Sequence, residues 1–135
     1  MEDYLNHLVI ELKLESRVKF LGFIPNLIEW YSTADIFFFP SKQEGLPVAL
    51  MEAMAAGLPC VASKIRGITD LVEHGKGGYL CDAQDIDGYA RAIVELAQDE
   101  KTRSEMGKYN CKAVEMYDNR IVYPLMEEIY NGNII

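Results

Sequence analysis

At 135 residues the chain carries about one domain's worth of sequence, enough for one real core. Half of it is apolar (50%) and 25% is charged, an ordinary globular composition that excludes disordered and collagen-like chains. With 13 basic residues against 21 acidic ones and a net charge of -8, neither nucleic acid nor an anionic membrane surface is an expected partner.

No run of about 18 uninterrupted apolar residues is present, so no transmembrane helix is expected. Cys60, Cys81 and Cys111 form no CxxC pair and read as reduced thiols of a cytoplasmic protein. His7 and His74 lie far from any cysteine pair, so no metal is expected. The opening MEDYLNHLVI is acidic and too short in apolar length for a signal peptide.

In chain order, Leu5, Leu8, Val9 and Leu12 at helical spacing predict a helix over 3–14. Arg17 to Gly22 alternates and stops at glycine, which predicts a short strand. Leu27 to Tyr31 reads as a helix, with Pro25 and Asn26 ahead of it. Asp35 to Pro40, DIFFFP, is a strand apolar on both faces, the pattern of a sheet covered on both sides. Pro47 to Ala56 is a helix with proline in its first turn and Gly57 as its stop. A strand over 59–62, a short helical turn over 69–73 and a strand over 79–81 follow. Asp85 or Asp87 caps a helix running to Gln98, and two more helices cover 101–117 and 121–130. Strands alternating with helices up to residue 81 predict a parallel α/β layer, with a helical tail packed on it.

The chemistry is concentrated in PSKQEGLPVALMEAMAAGLPCVAS, residues 40–63. It holds a strand end, a loop with Glu44 and Gly45, and a helix N-terminus at Leu46 to Val48. Free backbone N–H groups there make an anion site, and Gly45 carries no side chain to block a phosphate. Glu52, inside the helix, can accept two hydrogen bonds from the vicinal hydroxyls of a ribose. Glu44 lies where a sugar beyond the diphosphate would sit. A glutamate in an amphipathic helix is ordinarily a solvated residue. Here Ala49, Leu50, Met51, Ala53, Met54, Ala55 and Ala56 surround Glu52, which predicts at least partial burial and a need for partners. The residues therefore read as a nucleotide-diphosphate site that also holds a sugar.

The spacing Glu44-x7-Glu52, with PSKQ before it and MEAMAAGLPCVAS after it, resembles the EX7E signature of the retaining GT-B glycosyltransferases of family 4. SKIRGITDLVEHGKGGYL resembles the continuation found in bacterial exopolysaccharide and capsule members. The resemblance covers about residues 4–98 and implies a Rossmann-like parallel sheet, as a partial GT-B C-terminal domain with a helical C-terminal tail. Residues 1–135 would then form a single partial nucleotide-sugar-binding domain, α/β over 1–81 and helical over 82–135. It implies transfer from a nucleotide-diphosphate sugar with retention, no metal, and no cofactor besides that substrate. The acceptor would be a glycan, a polysaccharide or a lipid-linked molecule, handled in the cytoplasm or at the inner face of the membrane. The alternative is an inactive fragment, or a nucleotide-sugar-binding module that needs a partner chain.

Carried over residue by residue, Glu44 would be the catalytic group at the donor sugar hydroxyls. Gly45 and Leu46 would offer backbone N–H groups to sugar or phosphate. Pro47 and Val48 would start the helix facing the diphosphate, and Glu52 would hold the ribose. Gly22 and Phe23 end the segment that resembles the family's V-x-F-x-G element, whose following loop lies near the base. The family's Gly-x-x-Glu reads Gly67-Ile68-Thr69-Asp70 here, with a shorter acid. The resemblance also implies a sheet of order 3-2-1-4-5-6. In that sheet 17–21 is strand 3, and 35–40, 59–62 and 79–81 are strands 4, 5 and 6. Strands 1 and 2 and the acceptor-binding domain would fall outside the chain. Either 17–21 then pairs beside 35–40, or the strand edge there recruits a second chain.

The remaining residues read more plainly. Lys42, Lys64 and Arg66 are solvated charges, His7 an exposed helix residue and His74 a turn residue. Phe37, Phe38, Phe39, Met51 and Met54 are core, and Cys60, Tyr79 and Cys81 are strand packing.

Overall fold

The computed structural model describes residues 2–131, and three short parallel strands run through its middle. They are β1 (Phe37–Phe39), β2 (Cys60–Ser63) and β3 (Gly78–Cys81), in the spatial order β1-β2-β3. Phe37 pairs with Cys60, and Cys60 with Gly78. The helices are α1 (Glu2–Glu11), α2 (Ile28–Thr33), α3 (Val48–Ala55), α4 (Ile86–Gln98), α5 (Glu100–Val114) and α6 (Asn119–Tyr130). A 3-10 turn, Glu115–Tyr117, joins the last two. The strands at 37–39, 60–63 and 78–81 and the helices agree with the sequence reading to within a few residues. Met1 and the last four residues of the predicted tail, 132–135, lie outside the described residues.

Side chains of β2 alternate between two faces, and the core divides accordingly. Cys60 and Ala62 join Leu50 and Met54 of α3, with Ile68 and Val72 from the turn that follows β2. Val61 points the other way, into Tyr89, Ala92 and Leu96 of α4 and Met106 of α5. Burying a side chain such as Leu50 or Met54 contributes about 1.5–3 kcal/mol, and both are fully buried. Asn110 of α5, also fully buried, pins that helix to the sheet. Its Nδ2 donates to the carbonyls of Leu58 at 2.8 Å and Gly77 at 2.7 Å. Of the predicted core phenylalanines, Phe37 and Phe39 are half-buried against the first cluster. Phe38 is exposed and meets Tyr89 edge-on.

Two helix ends follow local chemistry. Asp85 caps α4 by accepting from the Gly88 N–H at 2.8 Å, which decides between Asp85 and Asp87. The first helix stops at Glu11, short of the predicted residue 14, because Lys13 takes a left-handed conformation (φ 56°). The helical turn expected over 69–73 starts earlier, with the Ile65 carbonyl accepting from Ile68 and Thr69.

The predicted strand over 17–21 is not formed. Arg17 and Val18 instead donate to the Leu14 carbonyl at 2.8 and 2.9 Å, continuing the turn after α1. A strand exists only against a partner, and among the described residues β1 pairs with β2 alone. Of the two alternatives, the pairing of 17–21 beside 35–40 is therefore absent. Gly22 and Phe23 end no strand: they lie in an exposed loop, with Gly22 at φ 62° and Phe23 93% exposed.

Candidate functional site

The site is built where β1 gives way to α3, at the carboxyl edge of the sheet, where open α/β sheets bind ligands. After Phe39 the chain turns through Pro40 and Ser41 into the loop of Glu44, Gly45 and Leu46. Ser41 Oγ donates to Glu44 Oε1 at 2.6 Å, so the half-buried Glu44 is held by its own loop. Gly45 is exposed, and a Cβ placed on it would meet no protein atom within 4 Å. The space above Gly45 is open to a ligand. Leu46 is exposed as well.

Pro47 is buried and acts as the N-cap of α3 through its backbone, with no side chain capping the helix. The Pro47 carbonyl accepts from Leu50 at 3.1 Å and Met51 at 3.2 Å. The N–H groups of Val48 and Ala49 belong to the first turn, which has no partner of its own inside a helix. The macrodipole adds positive potential at that point.

Glu52 is exposed, contrary to the burial expected from its apolar neighbours. At 100° per residue α3 turns Leu50, Ala53 and Met54 inward and Glu52 outward, so apolar neighbours in sequence do not enclose it. Tyr31 of α2 reaches across, its hydroxyl 3.3 Å from Glu52 Oε2 and 3.4 Å from the Ala49 carbonyl. A cavity of about 440 Å³ opens beside Glu52 at the seam of α3 and α5, with Met51, Ala55 and Val114 in its walls. Glu115 and Asp118 also line it, so its acidity suits neutral groups better than phosphate.

A second loop backs the first. Gly67, at φ 86°, packs against the backbone of Glu44 and Gly45. Asp70 Oδ2 accepts from the Gly67 N–H at 3.3 Å and closes this loop's own turn. Lys42, Lys64 and Arg66 are exposed. His7 is exposed, and His74 Nδ1 accepts from the Leu80 N–H at 3.0 Å, as befits a turn residue. Among the described residues no group of three or more His, Cys, Asp or Glu is placed to hold a metal ion, and no helix is long and apolar enough to cross a membrane.

The structure thus brings together Glu44, Gly45, Leu46, Pro47, Val48 and Glu52 on one loop and helix start. Gly22 and Phe23 lie on a separate exposed loop. Residues 1–113 match the family model of glycosyl transferases group 1. The chain belongs to that family. Among relatives of this glycosyl transferases group 1 chain, N-acetyl-alpha-D-glucosaminyl L-malate synthase of Bacillus anthracis is 35% identical over 137 residues, covering 94% of this chain and 36% of its own. Amylovoran biosynthesis glycosyltransferase AmsK of Erwinia amylovora is 40% identical over 108 residues, covering 74% and 26%. HepE of Anabaena, solved in complex with UDP, superimposes with a TM-score of 0.89 at 28% identity, over 97% of this chain and 37% of that one. The chain therefore spans about a third of the length of such relatives. The α/β, Rossmann-like fold is that of GT-B glycosyltransferases.

Two residues of this glycosyl transferases group 1 site escaped the sequence reading. Ser41 is three residues before Glu44, and that spacing was a usable signal, since Ser hydroxyls bond locally in turns. Tyr31 lies 21 residues from Glu52, and nothing in the local pattern links them.

Proposed function

We propose that this chain is the donor-binding part of a retaining glycosyltransferase. It moves a sugar from a nucleotide-diphosphate sugar to a polysaccharide, glycan or lipid-linked acceptor. The observation that carries the reading is the uncapped N-terminus of α3, flanked by Glu44 on its loop and Glu52 on its exposed face. The diphosphate sits at the Val48 and Ala49 N–H groups, with Gly45 and Leu46 offering theirs from the loop and Pro47 setting the helix start. Glu44, the candidate catalytic residue, accepts from donor sugar hydroxyls. Glu52 accepts from the ribose, and Gly22 and Phe23 lie toward the base.

In the transfer, the bond from the anomeric carbon to the diphosphate oxygen breaks, and its electron pair leaves with the diphosphate. A bond to the acceptor oxygen forms, and the proton of the acceptor hydroxyl passes to the departing diphosphate. The helix end stabilises the charge that develops on the departing group. The reaction takes no cofactor and no metal. The α/β part up to residue 81 and the helices between residues 86 and 130 supply the donor site. The work is done in the cytoplasm, at the inner face of the membrane where the acceptor is lipid-linked. UDP in the HepE structure and amylovoran biosynthesis in the name of AmsK support a UDP-sugar donor and a polysaccharide product.

Calorimetric titration with UDP tests the reading. The wild-type chain is expected to bind, and Glu52→Gln to bind about ten- to a hundredfold more weakly, the loss of one charge-assisted hydrogen bond. Unchanged affinity would remove Glu52 from the site.

A further inference from the structure

Tyr31 is held from one side and reaches out on the other. Its half-buried ring meets Phe37 of β1 edge-on, centroids 6.0 Å apart, and Phe37 stacks on Phe39 at 5.6 Å. The aromatic row fixes the phenol relative to the strand that leads into the Ser41–Glu44 loop. From there the hydroxyl lies 3.3 Å from Glu52 Oε2 and 3.4 Å from the Ala49 carbonyl, and its one O–H goes to the carboxylate, the charged and stronger acceptor. Glu52 is otherwise an exposed side chain, free to sample many rotamers. A side chain that must be ordered on binding weakens the affinity it provides, and one held in advance does not.

We infer that Tyr31 is a positioning residue. It holds the Glu52 carboxylate ready for the ribose diol of a nucleoside diphosphate and so sharpens the preference for ribo- over 2′-deoxyribonucleotides. The inference rests on the assignment of Glu52 to the ribose made above. The phenol has one O–H to give, and Glu52 keeps its second oxygen and further lone pairs for the sugar. Burial first, and then the adjacent Glu52 charge, push the Tyr31 phenol above its ordinary value. Tyr31 is therefore a donor throughout the neutral range.

Titration of the full chain with UDP and with 2′-deoxy-UDP tests it, on wild type, Tyr31→Phe, Glu52→Gln and the double variant. Tyr31→Phe keeps the ring against Phe37 and removes only the hydroxyl. It is expected to weaken UDP about two- to tenfold while 2′-deoxy-UDP moves less, so that the preference narrows. In the Glu52→Gln background the same change should have no further effect on the preference. A Tyr31→Phe chain that loses the same factor for both nucleotides, or none for either, overturns the role of Tyr31 and leaves Glu52 at the ribose. A Glu52→Gln chain that keeps the wild-type preference, or a wild type that binds neither nucleotide, overturns both assignments.

Discussion

The backbones of Gly67 and Gly45 are in direct contact: a Cβ on Gly67 would overlap the Gly45 carbonyl oxygen and lie 3.1 Å from that of Glu44. The loop after β2 thus serves as the floor on which the loop after β1 rests. Gly67 also sits at φ 86°, a conformation that side chains rarely adopt. Space and dihedral exclude a side chain independently. Gly67→Ala is expected to destabilise the chain by about 1–3 kcal/mol in urea denaturation and to move the Glu44 loop. A variant within about 0.5 kcal/mol of wild type, ordinary for surface changes, would show that the two loops part without strain.

On the function proposed above, Glu44 and Glu52 divide the donor between them, and the division has a kinetic signature. Glu44, tied by Ser41, would take the sugar end, and Glu52, tied by Tyr31, the nucleotide end. In a full-length enzyme carrying this segment, Glu44→Gln should lower turnover strongly while UDP affinity barely moves. Interactions made only as the reaction proceeds show up in kcat. Equal losses in turnover and UDP affinity would place Glu44 on the nucleotide or in the fold.

Much of this arrangement was legible in the chain, and the failures share a cause. The DIFFFP run, the Pro47 helix start and the Asp85 cap are local patterns, and each appears where its residues predict. Residues 17–21 have strand composition too, but pairing is a property of two segments, and no strand edge among the described residues meets them. Glu52 was misjudged because neighbours in sequence were taken for neighbours in space. The contacts that organise the site, Tyr31 to Glu52 and Gly67 to Gly45, join residues about twenty positions apart. They arise from Tyr31 of α2 reaching α3 and from the packing of successive strand-end loops, neither of which leaves a local trace.

Cys60 gives a pH test of the first core cluster. Its thiol is fully buried, 3.6 Å from the Leu58 carbonyl and 3.7 Å from Asn110 Nδ2 of α5, and burial pushes it up to about 12. In the unfolded chain a cysteine titrates near roughly 8.5. A thiol raised on folding contributes stability that is complete below the unfolded value and is lost as pH climbs toward the folded one. The chain should therefore weaken from about pH 8.5 upward, and Cys60→Ala should flatten that slope. At pH 8, a disulfide-exchange reagent should label the half-buried Cys81 and Cys111 in the native chain and reach Cys60 only after unfolding. Rapid native labelling of all three thiols would contradict the enclosed core described here.

The outer edge of β1 has no strand beside it among the described residues. Phe38, 45% exposed, stands on the same short strand as Phe37 and Phe39. An unpaired edge carrying apolar side chains is a template for another strand, and natural edges are blunted by lysine. No lysine stands in 35–41. We expect the isolated chain to self-associate with rising concentration in sedimentation or light scattering. It should show little or no transfer alone, since it spans about a third of the length of the glycosyltransferases it matches. Phe38→Lys should shift the mass toward monomer. It gives up the edge-on contact with Tyr89, at 5.3 Å, for about 0.5–1.5 kcal/mol. Its far-ultraviolet circular dichroism should stay that of the wild type, which separates loss of association from loss of fold. A wild-type chain that remains a monodisperse monomer at all concentrations and transfers sugar at enzyme rates would sink this expectation.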